Sequence, residues 1–193
     1  MLQIDLINKL YEFCRDDIFL SGNIKIFIDR IWWLAQCMMS EKPFDILHIG
    51  CGEGFLTNEL KKITSQFGKT IVGVEDFDKK GLNIDSFFSN VRGAYYGIEC
   101  YNGTIMDQKV LENLSQFNFG FILVQDISKF RDIKLIINKL YSCYNCIICL
   151  DGYRFDKDSS YVKHAIGQIK HDKWRIMESP ETFREVYLVC SKD

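Results

Sequence analysis

One short run constrains this chain more than any other. Phe44-Asp45-Ile46-Leu47-His48-Ile49 is a mainly apolar stretch that passes without a break into Gly50-Cys51-Gly52-Glu53-Gly54. A helical pattern follows from Phe55 to Phe67, with Leu56, Leu60 and Ile63 on its inner side. A short apolar run bounded by turn residues reads as a buried strand. Glycines at its end supply the backbone turns and the close approach to a ligand that side chains obstruct. Strand, glycine turn and helix together open an α/β sheet, in which ligands bind outside the carboxyl ends of the strands.

The rest of the chain repeats the alternation. A second strand over Thr70–Val74 ends at Glu75-Asp76, and a helix is predicted from Asn83 to Asn90. A third strand is predicted from Gly93 to Tyr101, followed by a helix from Met106 to Phe117. The fourth strand, Phe119–Val124, ends at Gln125-Asp126, with a helix over Arg131–Tyr141. The fifth, Cys146–Leu150, ends at Asp151, with a helix over Ser159–Lys170. Trp174–Met177 and Glu185–Cys190 then read as a closing antiparallel hairpin around Ser179-Pro180-Glu181-Thr182. Alternating strands and helices imply a parallel sheet covered on both faces. The expected fold is therefore a Rossmann-like three-layer α/β sandwich. Its seven-stranded sheet is mostly parallel and ends in a C-terminal antiparallel hairpin.

Two helices are expected ahead of this core. Ile4, Leu6, Ile7, Leu10, Tyr11 and Phe13 have helical spacing, Ser21-Gly22-Asn23 breaks it, and Ile24, Phe27, Ile28, Ile31, Leu34 and Ala35 resume it. With two prolines and no Gly/Ser-rich linker, the 193 residues offer no domain boundary. A single domain is expected, with a helical cap over 1–40 and a ligand-binding core over 41–193. Exposed aromatics in the cap would support a homodimer, or equally cover the sheet.

Composition narrows the partners. Lys plus Arg number 24 and Asp plus Glu 26, for a net charge of -2. There is no basic excess or clustered basic face of the kind nucleic-acid binders show. No apolar run approaches the roughly 20 residues that span a bilayer, and Met1–Asp5 does not open a secretory signal. A soluble cytoplasmic protein acting on a small molecule is the expectation. Of the eight cysteines, Cys143-Tyr-Asn-Cys146-Ile-Ile-Cys149 resembles a zinc knuckle in spacing. It has no second close pair, and strand alternation sends Cys146 and Cys149 to opposite faces. They read as core cysteines.

The function rests on the glycine loop and an acid. Glu75 stands 25 residues after Gly50, at the end of the second strand, where a carboxylate can accept hydrogen bonds from ribose hydroxyls. Asp76 is its neighbour and rival. Apolar strand, Gly-x-Gly-x-Gly at Gly50, Gly52 and Gly54, and an acid closing strand two resemble the class I S-adenosylmethionine-dependent methyltransferases over about residues 40–193. The resemblance implies that Gly50, Cys51, Gly52 and Gly54 hold the amino-acid end of S-adenosylmethionine and that Glu75, with Asp76 beside it, binds the ribose. It also implies an adenine contact after strand three, at Thr104 or Asn102. Gly103-Thr104 departs from the more usual Gly-Asp there. An NAD-dependent oxidoreductase would need Gly-x-Gly-x-x-Gly, and position 55 is Phe55.

Methyl transfer needs an aligned acceptor and, for a hydroxyl, a group that takes or acidifies its proton. Asp126 and Asp151 end adjacent strands, so both are candidate catalytic residues. Asp126 also borders the cofactor. Together they are candidate ligands for Mg, which would lower the pKa of a bound hydroxyl. The bland reading is that each caps a helix or satisfies loop amides. Asp151-Gly152-Tyr153 with Val162-Lys163-His164-Ala165 resembles a bacterial branch of the family acting on sugar and antibiotic hydroxyls. That branch has a Ser-His pair after the strand-four acid, whereas here Ser128 precedes Lys129. His164 is a further candidate base because imidazole titrates near neutrality. His48, inside the first strand, reads as a core histidine. The departures keep a second reading open, a non-catalytic binding module with the same fold.

Overall fold

The structure is a computed structural model that describes residues 3–14, 24–91, 97–125, 146–151, 174–177 and 183–190. Seven strands form one sheet: β1 Asp45–Ile49, β2 Ile71–Glu75, β3 Ile98–Asn102, β4 Phe119–Val124, β5 Ile147–Leu150, β6 Trp174–Met177 and β7 Val186–Cys190. Their order across the sheet is β3-β2-β1-β4-β5-β7-β6. β1 to β5 run parallel, β7 lies antiparallel to β5, and β6 antiparallel to β7. The expected sheet and closing hairpin are both present.

The order steps outward from β1 to β2 and β3, then returns to the other side of β1 with β4. That reversal opens a crevice at the carboxyl ends of β1 and β4, the usual ligand position in an open α/β sheet. Ile49 and Val124 face each other across it.

Strand alternation divides the core into two layers. Ile46, Ile71, Phe121, Leu123, Ile147, Cys149, Tyr187 and Val189 pack with helices α1 Gln3–Phe13, α2 Ile24–Glu41 and α3 Phe55–Gln66. Leu47, Val72, Val74, Ile122, Val124, Cys146, Ile148 and Leu188 form the opposite layer, with Val110 and Leu114 of helix α6 Gln108–Leu114. Cys146 and Cys149 are fully buried on opposite faces, so the two are not placed to share an ion. Cys143 lies outside the described residues.

The N-terminal helices are joined to the sheet by more than apolar contact. Arg30 of α2 donates to Glu185 through Nε (2.6 Å) and a terminal nitrogen (2.9 Å), and both side chains are buried. The Tyr187 hydroxyl donates to the same carboxylate at 2.9 Å, and the guanidinium lies 4.0 Å from the Phe183 ring centre.

Three local expectations are corrected. The strand expected from Gly93 to Tyr101 is interrupted by a bend at Gly97, after which β3 runs from Ile98; residues 92–96 lie outside the described residues. The helix expected from Met106 to Phe117 is shorter, because Thr104–Asp107 form a hydrogen-bonded turn: Thr104 donates its N–H to the Asp107 carboxylate and Asp107 donates its own to the Thr104 carbonyl. A one-turn helix, α4 Phe77–Lys80, falls between the second strand and the helix expected from Asn83, where no element was predicted. Asp76 caps its start by accepting from the Lys79 N–H, and Gly81, in the left-handed conformation, ends it. Helix α5, Ile84–Asn90, follows. The helices expected over 131–141 and 159–170 lie outside the described residues.

Candidate active site at the carboxyl edge of the sheet

All three loop glycines have positive φ: 77° at Gly50, 53° at Gly52 and 87° at Gly54. Residues with a Cβ rarely adopt this region. Gly50 is further constrained by its neighbour, since a Cβ there would lie 2.2 Å from the Gln125 carbonyl oxygen. Gly52 is the opposite case, for a Cβ there would meet nothing within 4 Å. The loop is thus packed against β4 at its start and opens to free space two residues on. Gly54 begins α3 with no side-chain cap, so the first N–H groups of this helix carry its positive end without a protein side-chain acceptor at the cap.

Glu75 closes the loop from below. Its side chain is 3% exposed. One carboxylate oxygen accepts the Gly52 N–H at 2.9 Å and the other the Asp76 N–H at 3.0 Å. The ammonium of Lys80 lies 3.2 Å from one oxygen and 3.4 Å from the other. Of the two rival acids, Glu75 points into the glycine loop, whereas Asp76 is turned to cap α4. Cys51 is buried beside Cys100. The Cys100 thiol beside it, its burial and the Glu75 charge all push its pKa up, which keeps it a thiol.

A chain of polar side chains crosses the crevice. The fully buried His48 ring contacts the Thr57 hydroxyl through Nδ1 and the Gln125 amide oxygen through Nε2, each at 2.8 Å. The Gln125 amide nitrogen donates to Asp151 at 2.8 Å, and Arg184 donates to both Asp151 oxygens at 2.5 and 3.1 Å. A carboxylate only accepts, so Gln125 must turn its NH2 to Asp151 and its oxygen to His48. His48 is therefore protonated on Nε2, and Nδ1 accepts from Thr57. Burial lowers the His48 pKa from 6.5 to about 4, although the Gln125 bond opposes this. The imidazole is neutral, as the network requires.

That shift makes stability depend on pH. Below neutrality the unfolded chain takes up the His48 proton while the folded chain refuses it. The contribution is complete above pH 6.5 and is lost as pH falls towards 4, by about 3 kcal/mol in all. Urea unfolding of wild type and His48→Asn should show a stability gap that narrows between pH 7 and pH 4.5. A gap that holds constant would mean the ring is not held neutral by burial.

The sequence-predicted residues are distributed as follows. Gly50, Cys51, Gly52, Gly54 and Glu75 come together at the crevice. Thr104 and Asn102 sit at the end of β3 in local networks, Thr104 with Asp107 and Asn102 with Phe77 and Asp78 of α4. Asp151 lies at the carboxyl edge, but its carboxylate is occupied by Arg184 and Gln125. Asp126 and His164 lie outside the described residues. Among the described residues, no three His, Cys, Asp or Glu side chains form a group that would hold a metal ion. Also among them, no helix is long and apolar enough to cross a membrane. Sequence reading missed Thr57, Lys80 and Arg184. Lys80 carries the clearest signal, a cation five residues after the acid; the Asp151–Arg184 pairing spans 33 residues and leaves none.

No family model and no curated protein matches this chain. Solved structures do. An O-methyltransferase from Bacillus cereus in complex with SAH superposes with a TM-score of 0.62 at 16% identity, covering 81% of this chain and 79% of that one. A putative caffeoyl-CoA O-methyltransferase from Staphylococcus aureus gives 0.65 at 12% identity, covering 94% and 92%. CalS11, a TDP-rhamnose 3'-O-methyltransferase of calicheamicin biosynthesis, gives 0.60 at 12% identity, covering 96% and 93%. With the strand order and hairpin described above, these likenesses show that the chain has the class I S-adenosylmethionine-dependent methyltransferase fold.

Proposed function

We propose that this chain is an S-adenosylmethionine-dependent methyltransferase acting on a hydroxyl of a small metabolite or sugar. One observation carries the reading. The left-handed loop Gly50–Gly54 leaves open space at Gly52 directly above a buried acid, Glu75, at the carboxyl edge of β1 and β2. In this reading the loop and the start of α3 hold the carboxylate end of the cofactor, because unsatisfied helix N–H groups attract anions. Glu75 takes the ribose hydroxyls, and the end of β3 near Thr104 borders the adenine. Bound there, S-adenosylmethionine supplies an electrophilic methyl group on its sulfonium. The ends of β4 and β5 flank the acceptor, and the His48–Gln125–Asp151–Arg184 chain holds those ends in fixed relation. The likeness to sugar and small-molecule O-methyltransferases supports the acceptor class.

Asp151 does not fit a magnesium ligand in this arrangement. The Arg184 guanidinium, 2.5 Å from its carboxylate, puts positive charge where the ion would sit. No step is therefore assigned to a metal. The same observation favours a second reading, a binding module without turnover, since the strand-five acid is already neutralised.

Calorimetric titration with S-adenosylhomocysteine, S-adenosylmethionine and NAD tests the proposal. Binding of the first two but not NAD is expected, with Glu75→Ala weakening it at least tenfold, the loss of charge-assisted hydrogen bonds to two hydroxyls. Absence of binding to either methyl-cofactor form sinks the reading. Binding without turnover across a panel of hydroxylated acceptors would select the binding module.

A further inference from the structure

Glu75 is already heavily engaged. A carboxylate offers about four lone-pair positions, and three hydrogen bonds reach this one, from the Gly52 N–H, the Asp76 N–H and the Lys80 ammonium, whose nitrogen also lies 3.2 Å from the second oxygen. A ribose diol brings two more O–H donors. The carboxylate cannot accept both until an existing partner withdraws.

The three partners are not equally free to leave. The Gly52 N–H belongs to the left-handed loop, and moving it would undo the glycine turn. The Asp76 N–H is fixed by the end of β2 and the cap of α4. That helix is in turn tied to β3, since Asn102 accepts from the Phe77 N–H at 3.2 Å and donates to Asp78 at 3.0 Å. Lys80 reaches Glu75 from the last turn of this anchored helix on a flexible four-carbon stem. Its side chain is 34% exposed, against 3% for Glu75. It alone can withdraw from both oxygens without backbone movement.

We infer that Lys80 is a displaceable plug of the ribose subsite: it occupies Glu75 in the unliganded chain and swings into solvent when a ribose diol binds. The inference rests on the cofactor reading above and names the residue that sets the affinity of that subsite. Lys80 is a specificity-determining residue here, for only a ligand that offers two donors in its place repays its release.

Wild type, Lys80→Met and Glu75→Gln should be titrated with S-adenosylhomocysteine by calorimetry, with thermal unfolding as a control of folding. A partly exposed ion pair is weak, so removing the competitor should tighten binding by about three- to fivefold in Lys80→Met. Glu75→Gln should bind more weakly than wild type. Pulsed acetylation read by peptide mass spectrometry should label Lys80 several-fold faster when S-adenosylhomocysteine is bound. If wild type binds and Lys80→Met binds equally or more weakly, or if Lys80 becomes protected, Lys80 is not a plug and the inference falls alone. If none of the three binds, the cofactor reading fails and takes the inference with it.

Discussion

Gly50→Ala should lose about 2–5 kcal/mol of stability and with it any binding of S-adenosylhomocysteine. The left-handed backbone costs an L-residue about 1–2 kcal/mol, and forcing a methyl into filled space about 1–3 kcal/mol more. The obstruction is the Gln125 carbonyl at 2.2 Å, main chain rather than a side chain that can rotate away. The Gln125 N–H also donates to the Ile49 carbonyl at 2.8 Å, so relief would break the contact that sets β4 beside β1. Gly52→Ala makes the comparison informative. It carries the same kind of backbone penalty, yet its Cβ meets nothing within 4 Å. It should cost only about 1–2 kcal/mol while still weakening cofactor binding, because the methyl would project into the open cradle. Urea denaturation and calorimetry on both variants test this. Equal stability losses would mean that the Gly50–Gln125 contact does not constrain the loop.

Arg30→Met should be about as damaging, at about 3–5 kcal/mol, for a different reason. Removing one partner of a buried ion pair leaves the other charge in a low-dielectric site without its opposite charge. Glu185 is fully buried and would lose both guanidinium hydrogen bonds while keeping that of the Tyr187 hydroxyl. Arg30→Met combined with Glu185→Gln should recover much of the loss, because no charge is then stranded. Equilibrium unfolding of the two singles and the double gives the coupling directly. Additive losses would show that the pair is not coupled. Since Arg30 lies on α2 and Glu185 just before β7, the cycle also reports how firmly the helical cap is attached to the sheet.

Much of the architecture was legible because it depends on local pattern. β4 matches its apolar run from Phe119 to Val124, and β1 runs into the glycines as expected. The failures lie where hydrogen bonds outweigh hydrophobic periodicity. Asp76 and Gly81 make a helix of a four-residue stretch with no apolar face to announce it. Asp107 bonds back to Thr104 and delays the start of α6. In the site, the loop and its acid could be found because each depends on a residue type at a strand end. Asp151 was found by the same rule, but its position could not reveal that Arg184, brought in by the antiparallel β7, neutralises it. His48 was rightly placed in the core, yet its partners come from α3 and β4 and could not be paired from spacing.

What the sequence determined by itself was therefore the order of elements and the place of the ligand crevice. Alternating apolar runs dictate which segments pair as strands, and glycines at a strand end dictate a turn with positive φ. The state of the charged groups was decided only by tertiary structure. Whether Glu75 is free or occupied by Lys80, whether Asp151 is a bare acid or half of an ion pair, and whether His48 can take a proton all depend on burial and on neighbours brought together by folding. Those electrostatic terms scale with distance and dielectric in three dimensions, and neither quantity is written in one.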